Sequence, residues 1–375
     1  ESLVKPRQAL KWGELIGKGT AFVSTTLHAS VPGIAQRSMR TTLANGRHMD
    51  TLPIKTEGEM PTGRHLWHEI FGGSWPTTGL DAYDPARISR DINANGLVGL
   101  GGAAFPTHVK ISPSDKKPIH TLIVNGCECE PYLTSDYRLM LEAPAPIVTG
   151  ALLAGRSVGA KRIVIGIEDN KMPAVDALRK AADGTGIQVA VVKTKYPQGS
   201  EKHLIQAVLR RQVPLGGLPS DLGVAISNVG TMAAVARAVI HNKPLTHRVI
   251  SVTGGGIVNP SNVLAPIGVS FGALMDFCGG LTPDAARMVA GGPMLGFAFS
   301  YPQTPVTKGA GGLTVMTADE VKAGDESACV RCGKCVDVCP MNLVPTKIAM
   351  ASQHQDLALS RRYNIMACFE CGSCA

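Results

Sequence analysis

Residues 121–140 read TLIVNGCECEPYLTSDYRLM. The first five are a short, β-branched apolar run, the pattern of a strand buried on both faces. A polar loop follows at once, with Asn125, Cys127, Glu128 and Glu130 just beyond the carboxyl end of the run. Three similar runs lie downstream: RIVIGI (162–167), IQVAVVK (187–193) and GVAI (223–226). Between them stand stretches with helical spacing, APIVTGALLAGRSVG (145–159), KMPAVDALRKAAD (171–183) and EKHLIQAVLRRQ (201–212). Strand and helix in alternation predict a mostly parallel sheet covered on both faces. Ligands of such sheets bind outside the carboxyl ends of the strands, so the loops after these runs are where chemistry is expected.

Working outward, DPARISRDINANG (84–96) reads as a short helix with Asp84 as N-cap and Pro85 in the first turn. Residues 1 to about 75 lack helical periodicity. Their short apolar pairs broken by glycines, as in VKPRQALKWGELIGKG (4–19), predict a small all-β unit. After His247, HRVISVTGGGIVNPSNVLAPIG (247–268) and SFGALMDFCGG (270–280) predict a compact α+β unit with Cys278 as a buried small hydrophobe. TPVTKGAGGLTVMT (304–317) reads as a linker, and VPTKIAMASQHQDLALSRRYN (344–364) as one helix.

Composition sets the bounds. A chain of 375 residues accommodates about two to four domains. Hydrophobic residues at 44% with charged residues at 18% describe a globular protein with a sizeable core. Aromatics at 5% weaken any base-stacking role in nucleic-acid binding. The net charge of +8, with no dense basic run behind it, reads either as general solubility or as attraction to anionic nucleotides or an anionic membrane face. No nucleic-acid partner is expected. No run of about eighteen apolar residues exists. The longest candidate, LGVAISNVGTMAAVARAVI (222–240), carries Ser227, Asn228 and Arg237 and reads as strand, turn and soluble helix. No direct membrane span and no signal peptide are expected, so any membrane association comes through partners. The start at Glu1 is expected to be an incomplete amino terminus.

Seven of the ten cysteines lie at or beyond position 329, in CVRCGKCVDVCP (329–340) and CFECGSCA (368–375). The spacing C-x2-C-x2-C-x3-C-P is that of bacterial two-cluster ferredoxins, where each run lends its fourth cysteine to the other [4Fe–4S] cluster. On that rule Cys368, Cys371, Cys374 and Cys339 hold one cluster, and Cys329, Cys332 and Cys335 hold the second. The missing eighth thiol is expected beyond residue 375. A zinc ribbon uses paired C-x2-C knuckles, and a disulfide framework belongs to short secreted chains. Neither explains a triple run closed by Cys-Pro. Thiolate ligation implies a reducing compartment, most simply the cytoplasm.

Four loops carry the remaining signals. GLVGLGGAAFPTHVKI (96–111) contains G-x-G-x-x-A from Gly99 to Ala104, but a helix precedes it where a Rossmann fingerprint needs a strand. Its glycines still allow backbone N–H groups to approach a phosphate or ribose closely. The loop after residue 125 holds Glu128 and Glu130. YPQGSEKHL (196–204) ends a strand and opens a helix at Ser200, and AISNVGT (225–231) does the same with Asn228 as cap. Cys127 and Cys129 are too close, with no partners near, to suggest another cluster. Each loop alone reads as a turn or cap. Together they point to a shared site.

The loops GLVGLGGAAFPTHVK (96–110), NGCECEPYLTSDYRLM (125–140), GIEDNK (166–171), TKYPQGS (194–200) and SNVGT (227–231), with the cysteine tail, resemble the C subunit of the Rnf electron-transport complex. More distantly they are similar to the flavin- and NADH-binding subunit of respiratory complex I. The resemblance implies a multidomain α/β protein with a lipoyl-like β-barrel (1–75), a complex-I-type FMN-binding α/β domain with a mostly parallel sheet (80–246), a soluble-ligand-binding β-grasp domain (247–305) and a ferredoxin-like domain for two [4Fe–4S] clusters (320–375). It implies noncovalent FMN cradled by Gly99, Gly101, Gly102 and Lys110. Asn125, Cys127 and Glu128 would bound the ring and ribityl chain, and Tyr196, Gly199, Ser200, Glu201, Asn228 and Thr231 would complete the pocket. Phe105 and Glu130 would meet NADH, the substrate. Ala104 replaces a usual glycine, and Ser200, Cys127 and Cys129 depart from the complex I pattern.

The chemistry agrees with that resemblance. Hydride donors deliver two electrons together and iron–sulfur clusters accept one at a time, so a flavin is the natural converter. No acid–base triad is required. The implied protein is a peripheral NADH:ferredoxin-type oxidoreductase subunit on the cytoplasmic face of the bacterial inner membrane, partnered by other Rnf membrane and ferredoxin-like subunits. A soluble cobalamin reductase of the related metabolosome family is the alternative, since it shares these loops and paired clusters. EPYLTSDYRLM (130–140) and the amino-terminal β unit favour the first reading. A purely structural cluster protein makes no use of the four loops.

Overall fold

A computed structural model describes the chain except for residues 113–115, 323, 325 and 326. Its centre is a four-stranded parallel sheet in the order Gln188–Val192, Arg162–Glu168, Thr121–Asn125, Val224–Asn228. The opening stretch explains why this sheet is central. Leu122 and Val124 are fully buried in one layer with the helices Pro144–Val158 and Val229–His241. Ile123 is fully buried in the opposite layer with Ile226, Leu204 and Ile205 of the helix Glu201–Leu209. A strand covered on both faces cannot alternate apolar with polar, hence the unbroken run. Each such side chain contributes about 1.5–3 kcal/mol. The helices Pro144–Val158 and Val229–His241 press together at Gly150, where a Cβ would lie 1.8 Å from the Met232 carbonyl oxygen.

The amino-terminal 56 residues form three small antiparallel sheets, the largest ordered Ala9–Leu10, Gly33–Ala35, Ile54–Thr56. Their core is slight: Leu10, Ala29 and Ala35, with Val4, Ile16, Leu52 and Ile54 around them. The first 75 residues are not the all-β unit that the sequence predicts. Gly63–Phe71 is a helix that buries Leu66 and Ile70, although it has no side-chain cap to mark its start.

A second sheet of five strands runs in the order Ser261–Pro266, His247–Thr253, Gly312–Thr317, Ala285–Ala290, Phe297–Phe299. The helix Phe271–Phe277 packs Phe271, Leu274 and Met275 beneath it, with Cys278 buried beside them. Residues 312–317 were expected in a linker and are instead its middle strand, pairing parallel with His247–Thr253 and antiparallel with Ala285–Ala290. The preceding Lys-Gly-Ala-Gly-Gly looks like a linker, but Leu313 and Val315 are almost wholly buried.

The cysteine region holds the helices Lys334–Asp337, Pro345–Gln353 and Leu357–Arg362. The single helix expected over 344–364 is therefore two. Gln355 takes φ +54°, and Asp356 caps the second segment by accepting from the Leu359 N–H at 2.9 Å. Among the described residues no helix is long and apolar enough to cross a membrane.

Candidate functional site

In chain order the central sheet runs third, second, first, fourth, so the connections reverse direction between Thr121–Asn125 and Val224–Asn228. A crevice at that reversal is where open α/β sheets bind ligands. Two asparagines end these strands side by side, Asn125 opposite Asn228. Asn125 Nδ2 donates to the Gly199 carbonyl at 2.8 Å and its Oδ1 accepts from the Cys127 N–H at 2.9 Å. Asn228 Oδ1 caps the helix Val229–His241, accepting from Gly230 and Thr231 N–H at 2.8 and 3.3 Å. Its Nδ2 donates to Asp136 at 2.6 Å.

The glycine loop stands over the Asn228 end. Gly99 N–H donates to Phe105 at 2.8 Å and Thr107 N–H to Leu97 at 3.1 Å, making residues 97–107 hairpin-like. Leu100 N–H donates to Thr231 Oγ1 at 2.9 Å, which draws the tip down onto the helix start. A Cβ on Gly101 would sit 3.3 Å from Asn228 Cβ, and Gly102 takes φ +119° with open space around it. Gly101, Gly102 and Ala103 are exposed, and among the described residues no hydrogen bond of the chain takes up their N–H groups. Free, accessible N–H groups on a bare backbone suit a phosphate or a ribityl hydroxyl. Phe105, 41% exposed, flanks the tip. Lys110, expected to meet a cofactor, pairs with Glu201 at 2.5 Å in the first turn of Glu201–Leu209. Ser200 opens that helix without capping it through its side chain.

The two carboxylates of the opening stretch have different surroundings. Glu128 accepts from Ser135 Oγ (3.1 Å) and from the N–H groups of Asp136 and Tyr137 (both 3.0 Å), so it caps the helix Ser135–Glu142. Burial, reinforced by the neighbouring Asp136, pushes its carboxyl up to about 7. Burial also raises Asp136. Glu130 Oε1 accepts from the Met294 and Leu295 N–H groups at 2.8 and 2.9 Å, whereas its buried Oε2 has no partner among the described residues. Gly292 leaves room for this contact, since a Cβ there would lie 2.1 Å from Glu130 Cγ.

Several polar residues of this neighbourhood were not singled out in the sequence. Lys171 forms a buried pair with Glu168 at 2.7 Å and donates to the Glu128 carbonyl at 3.2 Å. Charged residues immediately after a buried run, as in GIEDNK, were the available signal. Arg248 and Lys308 are also buried here and Asp136 is half-buried, and no local pattern marks them.

The loop 193–200 reaches from the sheet edge to the cysteines. Gly199 N–H donates to Cys129 Sγ at 3.3 Å, and a Cβ on Gly199 would stand 2.4 Å from the Cys127 carbonyl oxygen. Burial raises the thiols of both Cys127 and Cys129. Tyr196 extends the other way, its hydroxyl donating to the Cys371 carbonyl at 2.7 Å. His203 packs on Phe369 with ring centroids 4.9 Å apart.

The two cysteine runs share one local geometry. Arg331 and Glu370, each two residues after the first cysteine, take φ +57° and +53° and donate N–H to Cys329 and Cys368 Sγ at 3.4 and 3.3 Å. Gly333 and Gly372 follow with φ +81° and +77°. Leu343 N–H adds a bond to Cys339 Sγ at 3.3 Å. Hydrogen bonds to sulfur of this kind tune iron–sulfur clusters. Cys339, Cys368, Cys371 and Cys374 line one cavity of about 420 Å³, closed by apolar Leu343, Ile348 and Ile365. Cys335 also reaches its wall. Among the described residues no three His, Cys, Asp or Glu side chains converge as on a single ion. The four thiols surround a space, as a cluster requires. Cys329 and Cys332 are exposed.

Comparison with known proteins matches this arrangement piece by piece. The Nuo51 FMN-binding domain pattern covers residues 92–237, the SLBB domain 249–298 and the 4Fe-4S dicluster domain 322–375. FMN and [4Fe–4S] clusters are thus the cofactors of these domains. The C subunit of the proton-translocating ferredoxin:NAD(+) oxidoreductase complex of Clostridium ljungdahlii is 40% identical, over 97% of this chain and 78% of its own length. The C subunit of the Na(+)-translocating ferredoxin:NAD(+) oxidoreductase complex of Acetobacterium woodii is 40% identical, over 94% and 78%. The C subunit of the ion-translocating oxidoreductase complex of Rhodobacter capsulatus is 36% identical, over 98% and 70%. An NAD+-reducing [NiFe]-hydrogenase chain shares the fold, with a TM-score of 0.58 and 22% identity over 69% of this chain and 51% of that one. The chain belongs to the C-subunit family of ion-translocating ferredoxin:NAD(+) oxidoreductase complexes.

Proposed function

We propose that this chain is the NADH-reactive electron-input subunit of a membrane-bound Rnf complex, exchanging electrons between NADH and ferredoxin-type acceptors in a process coupled to ion translocation. Its place is peripheral, on the cytoplasmic face of the bacterial inner membrane, against membrane-spanning and ferredoxin-like subunits. One observation carries the reading: the Tyr196 hydroxyl bonds the Cys371 carbonyl at 2.7 Å, joining a strand-end loop of the nucleotide crevice to a cluster ligand. A protein in which crevice and clusters were unrelated has no need of that contact. The relatives named above favour this reading over a soluble cobalamin reductase.

FMN bound here supplies the conversion between the paired electrons of a hydride and the single electrons of clusters. The residues present fit it. The free N–H groups at Gly101, Gly102 and Ala103 hold its phosphate or ribityl end, with Gly99 at the base of the loop. Asn125, Asn228 and Thr231 form the floor, with Cys127, Gly199 and Ser200 at its edge. Lys110 and Glu201, paired with each other, set one wall. Glu128 acts from beneath by holding the Asp136 helix against Asn228. Phe105 and Glu130, whose buried Oε2 is unpartnered among the described residues, lie at the NADH side of the pocket. Cys339, Cys368, Cys371 and Cys374 ligate the cluster nearer the crevice, and Cys329, Cys332 and Cys335 ligate the other with a further thiol. The amino-terminal β unit is read as lipoyl-like and the five-stranded sheet as a β-grasp.

Flavin, iron and sulfide analysis of the full-length protein tests the reading, together with an anaerobic NADH titration of its visible spectrum. One FMN and eight iron atoms per chain, bleached by NADH, are expected. Stoichiometric zinc, or a flavin that NADH leaves oxidised, would overturn it.

A further inference from the structure

The N–H side of the glycine loop is held by its own domain, through Thr231. Its carbonyl side is held from elsewhere. Arg248, in the strand His247–Thr253 of the five-stranded sheet, donates from Nη2 to the Leu100 carbonyl at 3.2 Å and from Nη1 to the Lys308 carbonyl at 2.5 Å. Lys308 Nζ donates to the Gly96 carbonyl at 2.5 Å and to the Thr26 carbonyl of the amino-terminal unit at 2.9 Å. Gly309 then lies against the tip, where a Cβ would be 3.0 Å from the Gly102 carbonyl oxygen. Both cations are buried, Arg248 to 5% and Lys308 to 9% exposure.

Placing a cation in such surroundings is costly unless its hydrogen bonds are satisfied. Lys308 makes no ion pair among the described residues and meets carbonyls instead. Gly96 lies just past the carboxyl end of the helix Pro85–Ala94, where the helix dipole favours positive charge. The Asp136 carboxylate favours the charged form of Arg248 electrostatically and accepts from Asn228 Nδ2 at 2.6 Å. The ascending arm of the loop is thereby fixed at two carbonyls, Gly96 and Leu100. Beyond these anchors the Gly101–Ala103 N–H groups stay unbonded among the described residues, on exposed backbone.

We propose that Arg248 and Lys308 are positioning residues that preorganise the glycine loop for its anionic cofactor, so that the five-stranded sheet unit sets flavin affinity without touching the flavin. This rests on the reading that the glycine loop seats FMN.

The test uses the full-length, cluster-loaded protein. Arg248→Lys keeps the buried charge but shortens the fork, and Lys308→Met removes the donor. FMN affinity is measured by flavin fluorescence, and amide exchange is followed over residues 96–105 and over the strand Thr121–Asn125. Loss of charge-assisted bonds predicts roughly ten- to a hundredfold weaker FMN binding in each variant. Exchange should rise in the loop with the strand unchanged and cluster content intact. Wild-type affinity and loop protection in Arg248→Lys would overturn the proposal. So would an equal rise in exchange across the strand, which marks general destabilisation. Gly101→Leu separates the two levels of the argument. If it retains FMN, the placement of the flavin is wrong. If it loses FMN while Arg248→Lys and Lys308→Met bind normally, the placement stands and the positioning role falls.

Discussion

Gly199→Ala is the sharpest single perturbation of the crevice. The added methyl would lie 2.4 Å from the Cys127 carbonyl oxygen and 3.3 Å from Cys129 Sγ. An ordinary contact needs about 1 Å more, and the nearer atom is backbone, so the loops after residues 125 and 192 must part. Overpacking of this kind costs about 1–3 kcal/mol. The bonds from Asn125 Nδ2 to Gly199 (2.8 Å) and from Gly199 N–H to Cys129 (3.3 Å) weaken with it, at about 0.5–1.5 kcal/mol each. Because 1.4 kcal/mol is about tenfold in affinity, FMN binding should weaken by at least about tenfold. The assay is flavin titration beside a thermal melt and iron content. Gly184→Ala is the control: it sits at φ +72° with nothing within 4 Å. That change costs backbone strain of a similar order and should leave flavin affinity alone. If Gly199→Ala melts lower yet binds FMN like wild type, the flavin does not lie at these strand ends.

Three further outcomes are expected. Tyr196→Phe removes the bond to the Cys371 carbonyl, so NADH should still bleach the flavin at the wild-type rate while cluster reduction slows in stopped-flow traces; equal rates for both would remove Tyr196 from the electron path. Glu130→Gln should keep flavin and clusters but lower NADH kcat/KM by roughly ten- to a hundredfold, because a neutral amide replaces the free Oε2; unchanged kinetics would take Glu130 out of the NADH site, and lost flavin would move it to the FMN shell. Burial, helped by Arg237, lowers His247 from 6.5 to about 4. The unfolded chain then binds more protons between those values, so stability is complete above about pH 6.5 and is lost as pH falls toward 4, by at most about 3 kcal/mol. His247→Gln should flatten that acid limb in denaturant titrations, and an unchanged limb would refute the assignment.

The parallel sheet was legible because burial on both faces leaves a chemical trace: Leu122, Ile123 and Val124 must all be apolar whichever layer they meet. The Asp84 and Asn228 caps were legible for a local reason too, since each bonds N–H groups two or three residues on. Elements without local punctuation were not. Gly63–Phe71 lacks a side-chain cap, the strand Gly312–Thr317 follows a glycine-rich stretch, and the break at Gln355 involves neither glycine nor proline. In the candidate site, the sequence pointed to loops rather than to partners. Glu128 and Glu130 look alike on paper, yet one caps a helix and the other meets a loop some 160 residues away. Asp136 and Arg248, 112 residues apart in sequence, influence each other electrostatically, a relation that no spacing rule exposes.

The most direct test of the central claim is whether NADH reaches the clusters only through the flavin pocket. FMN is stripped from the full-length protein with its clusters retained, and cluster reduction is followed by electron paramagnetic resonance after mixing with NADH, before and after FMN is restored. The expected result is clusters that dithionite reduces in both samples and NADH reduces only in the FMN-restored one. Equal reduction by NADH without FMN would contradict the claim.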